Sequence, residues 1–260
     1  MLPERSRRES SSPRLSWLRM IQKTRAIVLD ITPYAEASII VKAYTETMGL
    51  QSFLVNGVRK PKARFANNLF QPLTIIEIVA YFKKQGGLHR VSDVSASPPL
   101  VHIPYDTIKT TVALFLAEIL YRSIKEEEAN SDLFGFIDHS IQMLDLHPET
   151  TSKFHLIFCL QLTRYLGFYP SGRYSNFTRC FDLKEGVFRE SKPMHPYYID
   201  YDLSQRFDQL LEQNLEDTHE MKMTADERKH ILQAIITYFE LHHTQGFSIR
   251  SHEVLAELMS

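Results

Sequence analysis

Between residues 24 and 94 apolar and polar positions tend to alternate, whereas from Ile108 onward apolar residues recur every three or four positions. A period of two predicts strands and a period of 3.6 predicts helices, so one chain carries two folding regimes. Strands are expected over residues 25–31, 38–44, 50–55, 73–82 and 88–94, all rich in β-branched and aromatic residues. The segments between them hold the usual breakers: Thr32-Pro33, Met48-Gly49, Asn56-Gly57 and Gly86-Gly87. Five short strands with one polar interruption between the third and fourth match the pattern of a small OB-type barrel. Pro98-Pro99 then marks the end of that unit.

In the second regime Ile108, Val112, Phe115, Leu116, Ile119 and Ile124 fall on one helical face, and the helix is expected to run out at residues 126–128. Further helices are expected over 132–146 and 151–166, the latter stopped by Gly167 and Pro170. Thr224 followed by Glu227 is a capping box opening a helix through Ile231, Ile235, Tyr238 and Phe239. Ser251 is placed to cap a last short helix ending at Met259. Residues 167–200 read as an irregular insertion containing one hairpin, 180–188. The expected class is α+β: a five-stranded OB-type barrel over residues 20–97, then a mostly helical domain over 98–260. Residues 1–19, rich in Ser and Arg with no apolar stretch behind them, are expected to be a disordered extension.

Charge sharpens this division. The net charge of -1 conceals five Arg against two acids in residues 1–19, ten Lys or Arg against five acids in 20–99, and fifteen against twenty-four in 100–260. A basic front half joined to an acidic back half points to a polyanion meeting the front. The two cysteines, Cys159 and Cys180, make no disulfide framework and fit a reducing cytoplasm. No apolar run is long enough to span a bilayer, so no membrane association is expected.

The sharpest local feature is Arg59, Lys60, Lys62 and Arg64, four cations in six residues of a barrel loop. Cations there would neutralise phosphates and release counterions, giving salt-sensitive binding with little sequence preference. Arg25, Lys42, Lys83 and Arg90 on the strands or their turns extend the candidate DNA-binding set. Tyr34, Phe65, Phe70 and Tyr81 are candidate stacking faces for bases, although aromatic residues in such strands more often fill the barrel.

Several motifs, taken in order and spacing, resemble the RecO family of bacterial recombination mediators. They are Thr24-Arg-Ala-Ile-Val-Leu, Pro33-Tyr-Ala-Glu36-Ala-Ser38, Gly57-Val-Arg-Lys60 and Leu69-Phe-Gln71-Pro72 in the front half. In the back half they are residues 126–134, Leu166-Gly-Phe-Tyr-Pro170 and Ile249-Arg250-Ser251. The resemblance covers residues 21–260. It implies a non-enzymatic DNA repair protein that binds single- and double-stranded DNA, anneals strands and works with RecR to load RecA onto DNA coated with single-strand binding protein (SSB). It also implies that the helical domain takes the acidic, apolar C-terminal tail of SSB. Such a tail needs an apolar pocket flanked by cations, for which Arg122, Lys153, Arg164 and Arg250 are the candidates.

Many members of that family carry a four-cysteine zinc cluster in the insertion. Here only Cys180 and the nearby His195 are present, too few for tetrahedral zinc, so no metal and no cofactor is expected. The hairpin at 180–188 is expected to organise the insertion instead, and Cys159 to act as a small buried hydrophobe. No phosphate-cradling loop, nucleophile elbow or His-Glu-x-x-His is present. Two other readings remain open: an OB-fold module serving RNA, and an enzyme with its site in the 167–200 loop.

Overall fold

Alternation in the front half produces a closed barrel in a computed structural model that describes residues 20–58, 65–82, 87–147, 152–216, 221–243 and 247–258. The expected extension at 1–19 lies outside the described residues. Strands β1 (Met20–Tyr34), β2 (Ser38–Thr45), β3 (Gly49–Val55), β4 (Ile75–Phe82) and β5 (Leu88–Ala96) close in the order β1-β2-β3-β5-β4. All neighbours are antiparallel except β3 and β5, which run parallel over Ser52↔Leu88 to Leu54↔Arg90. The long β1 serves both edges: its first half pairs with β4 and its second half with β2, across a register shift between Val28 and Asp30. This is an OB-type barrel. Its interior is filled by Val28, Val41, Phe53, Phe70, Ile78 and their neighbours. His89 is also buried there, its Nε2 2.8 Å from Gln51 Oε1 and its ring against Phe82.

The back half folds into α1 (Thr107–Ser123), α2 (Ser131–Leu146), α3 (Phe154–Leu166), α4 (Tyr201–Glu212), α5 (Ala225–His242) and α6 (Ser251–Leu258). Most starts have a visible physical cause. Asp106 accepts from the N–H groups of Ile108 and Lys109, Asn130 from Leu133, and Thr224 with Glu227 forms the expected capping box. Gly167, at φ 84°, ends α3.

Several expectations need correction. Ile108 is 46% exposed, whereas Val112, Phe115, Leu116, Ile119 and Ile124 are buried as expected. α1 stops at Ser123 rather than at 126–128, since Ile124 is extended and the next backbone groups turn toward the barrel. α3 begins at Phe154, three residues later than expected. α4 adds a helix that the sequence pattern does not predict; its apolar stripe, with Phe207, Leu210 and Leu211 buried, is short and set among charges.

The insertion forms a small sheet in the order β7-β6-β8, from β6 (Cys180–Asp182), β7 (Val187–Arg189) and β8 (Tyr198–Ile199). Buried Asp182 organises its tight turn, accepting from the N–H groups of Lys184 and Glu185 and from Arg189 Nε at 2.7 Å. The Cys180 thiol is buried and donates to the Ile199 carbonyl. Cys159 is fully buried on α3, and burial pushes its thiol up.

The two halves share one core. Ile27, Leu29, Tyr44, Leu73 and Ile75 leave the barrel to pack with the helices. Leu50 N–H donates to the Glu126 carbonyl at 3.0 Å, and Gly49, at φ +61°, sits so close that a Cβ would collide with the backbone of Glu126 and Glu128. Across the connection, the buried carboxylate of Asp145 on α2 accepts from three successive N–H groups, Val101, His102 and Ile103, at 2.7–2.8 Å. Lys109, also buried, donates to the carbonyls of Asp145 and His147, which satisfies its ammonium away from water.

Candidate nucleic-acid interface

Because side chains alternate, register decides which residues share the barrel's outer surface. In β2 the outward positions include Ile40 and Lys42, and in β3 Ser52 and Leu54. Pairing sets Ile40 beside Leu54 and Lys42 beside Ser52. Leu54 is beside Arg90, Arg90 beside Tyr81, and Tyr81 beside Ile21. The result is a cross-strand row, Ile40–Leu54–Arg90–Tyr81–Ile21, that touches all five strands, with Lys42 one step away on β2. Arg90 and Ile21 are exposed, and Tyr81 and Lys42 are half-buried. The row joins apolar and aromatic surface to cations, the combination that holds unstacked bases and their phosphates.

At one end of this surface Tyr34, the last residue of β1 before the β1–β2 turn, is 49% exposed. Ser38 Oγ donates to Asn56 Oδ1 at 3.1 Å, so the chain leaves β3 beside that turn. Arg59, Lys60, Lys62 and Arg64 follow directly, and they lie outside the described residues, as does Lys83. Their flanks are anchored: Val58 and Phe65 are both buried in the barrel interior.

Three residues expected to face nucleic acid are placed elsewhere. Phe70 is fully buried and Phe65 is 7% exposed, so neither offers a stacking face. Both plug the barrel, where apolar burial outweighs any surface role. Arg25 faces the helices instead of solvent, pairing with Asp138 at 2.6 Å and lying over the Phe134 ring.

In the helical domain the four candidate cations are not gathered into one site. Arg122 and Arg250 are exposed; Glu118 on α1 accepts from the backbone N–H groups of Arg250 and Ser251, and Arg122 lies one turn further along the same helix. Exposed Leu114 on α1 and Val254 on α6 are spaced one turn from Glu118 and Arg250. Lys153 does not qualify: it is 4% exposed, donates to the Met221 carbonyl, and burial pushes its ammonium down. Arg164 lies over the Tyr169 ring at 4.1 Å and donates to its hydroxyl, apart from the other two.

The chain matches the family models described as "Recombination protein O N terminal" over residues 20–98 and "Recombination protein O C terminal" over 104–250. The chain belongs to the RecO family. Proteins named DNA repair protein RecO are similar along nearly their whole length. The one from Bacteroides fragilis is 40% identical over 240 residues, covering 92% of this chain and 99% of the relative. That from Phocaeicola vulgatus is 36% identical over 241 residues, covering 93% and 100%. That from Flavobacterium psychrophilum is 36% identical over 247 residues, covering 92% and 99%. Within this RecO-family chain, no group of three or more metal-ligating side chains comes together among the described residues. Nor is any helix among them long and apolar enough to cross a membrane.

Lys42, Arg90 and Tyr81 stand out in the sequence, whereas Ile21, Ile40 and Leu54 do not. The missing signal is register: alternation marks these residues as outward, but only strand pairing sets them in one row.

Proposed function

We propose that this chain is a DNA repair and recombination mediator without chemistry of its own, working in the bacterial cytoplasm at the nucleoid. The barrel binds single- and double-stranded DNA and promotes annealing. With RecR, the protein helps load RecA onto DNA covered by SSB. The observation that carries this reading is the cross-strand row Ile40–Leu54–Arg90–Tyr81–Ile21 beside Lys42. Bases rest on Tyr81 and the aliphatic residues, while Lys42, Arg90 and the loop cations meet phosphates. The acidic, apolar tail of SSB is assigned to the α1–α6 face, which carries the exposed residues Arg122, Arg250, Leu114 and Val254.

A non-catalytic role is supported at the insertion, the place where an active site was the alternative. Its thiol, Cys180, is buried and pushed up by burial, away from the reactive thiolate. Of its acids, the buried Asp182 is committed to a turn and to Arg189, with His195 Nε2 3.4 Å from its other oxygen.

Fluorescence anisotropy with labelled single-stranded DNA at several salt concentrations tests the barrel reading. Binding that falls steeply with salt, and that Lys42→Glu with Arg90→Glu weakens, supports it. Parent-like binding by that folded variant removes the row from the interface. Matched RNA strands in the same titration address the RNA alternative, since clear RNA preference would displace the repair reading. An SSB-tail peptide titrated against Arg122→Glu/Arg250→Glu tests the helical face in the same way.

A further inference from the structure

A groove of about 430 Å³ opens where the barrel meets the helices, between Tyr44, the α1–α2 connection, and the C-terminal ends of α3 and α5. Leu133, Leu166, Phe168 and Tyr165 make the apolar part of its lining, and Ser123, Asn130 and two histidines are among the polar part. Tyr165 stacks on Phe136 at 4.8 Å, and Phe168 stacks on the His242 ring. Its charged residues are two carboxylates, Glu126 and Glu128, and no Lys or Arg lines it among the described residues.

The hydrogen bonds of the two histidines define what the groove lacks. His242 places Nε2 2.8 Å from the Leu183 carbonyl, and His243 places Nε2 2.9 Å from the Ser123 carbonyl. A carbonyl only accepts, so each Nε2 carries the hydrogen, which leaves Nδ1 as the one ring nitrogen that can accept. His243 Nδ1 is buried without a partner, and so is the hydroxyl of Ser123, a residue only 2% exposed. Buried polar atoms are nearly always satisfied, so this pair calls for an added hydrogen-bonding group, and Nδ1 calls for a donor. The negative field is felt on the barrel side as well: burial and the Glu126 charge push the Tyr44 phenol up to about 12.

We propose that this groove binds a basic, apolar segment of a partner protein through an inserted arginine or lysine side chain. The aliphatic stem lies along Tyr165, Phe168 and Leu133, and the cationic head donates to Glu126, Glu128 and the histidine lone pair. An acidic segment is disfavoured there, because its carboxylates would meet the two glutamates without a compensating cation. The site is separate from the Arg122–Arg250 face and independent of the nucleic-acid reading.

The test uses the full chain and two fluorescein-labelled peptides, Ala-Leu-Arg-Phe-Arg-Leu-Ala and the same sequence with Glu for both Arg. A Glu126→Gln/Glu128→Gln variant is compared with a Glu190→Gln/Glu240→Gln control that removes equal charge outside the groove lining. Circular dichroism and thermal melting confirm that both fold. The expected result is saturable binding of the basic peptide, weakened at least tenfold in the groove variant and within twofold of the parent in the control, with weaker binding of the acidic peptide. Equal loss in both variants would reduce the effect to the acidity of the domain and overturn the site. Parent-like binding by the groove variant, or preference for the acidic peptide, would overturn it as well.

Discussion

Arg25 on β1 and Asp138 on α2 meet at 2.6 Å, and the guanidinium also lies over the Phe134 ring, which itself packs on Tyr44 of β2. A residue that the sequence offers to DNA thus joins the barrel to the helices. Arg25→Ala is expected to cost about 1–2 kcal/mol of stability, more than an exposed pair because both partners are largely shielded from water. Binding to DNA should change little at temperatures where the variant is folded. Thermal melting and anisotropy on one preparation check this, and a large loss of binding without a loss of stability would return Arg25 to the interface.

Tyr81→Ala should weaken single-stranded DNA binding by about 1–3 kcal/mol, the value of one base on an aromatic face. Duplex binding should fall less, because paired bases do not present their faces. Lys42→Glu and Arg90→Glu should act differently, flattening the dependence of log affinity on log salt by about 0.7 for each phosphate of a single strand left without its cation. Titrations at four salt concentrations separate the two effects.

Gly49→Ala combines a left-handed backbone with a collision against the backbone of Glu126 and Glu128. Neither neighbour is a flexible side chain that can swing aside. We expect a loss of more than about 2 kcal/mol, read by urea denaturation, well above the ordinary cost of Gly→Ala at a positive φ. A neutral outcome would mean that the β2–β3 turn and the α1–α2 connection do not touch in solution.

His155 on α3 is buried beside Phe115, and burial, reinforced by the charge of Arg228, holds its imidazole down at about 3 against an ordinary value of 6.5. Above pH 6.5 neither the folded nor the unfolded chain protonates it. As pH falls from 6.5 toward 3 only the unfolded chain takes the proton, so stability drops by at most about 1.4 kcal/mol per pH unit. His155→Phe should therefore lose about 2–3 kcal/mol less than the parent between pH 6.5 and 4.5, as measured by urea denaturation at both values. Parallel acid limbs would show that the histidine is protonated in the folded state.

The barrel strands, the helices other than Tyr201–Glu212 and the capping box at Thr224 are legible in the sequence because each rests on local pattern: period, breaker or cap. What stays hidden depends on partners distant along the chain. Phe65 and Phe70 carry the same chemistry as Tyr34, and only barrel closure puts the first two inside. Lys153 reads as a surface cation until the Met221 carbonyl is brought to it. The helix at Tyr201–Glu212 has an amphipathic stripe that follows directly on an irregular insertion, which masks where it begins. The groove at Ser123 and His243 has no sequence signature, since its walls come from opposite ends of the chain.

Asp145, gripping three consecutive amides of the connection, leaves the barrel no slack tether. With the hook at Leu50 and Glu126 as a second fastening, the two halves turn as one lever. On the proposed reading, a DNA strand on the barrel would keep a fixed bearing relative to a partner seated on α6. On that same reading, a pull on α6 would turn a bound strand with the barrel instead of stretching the connection.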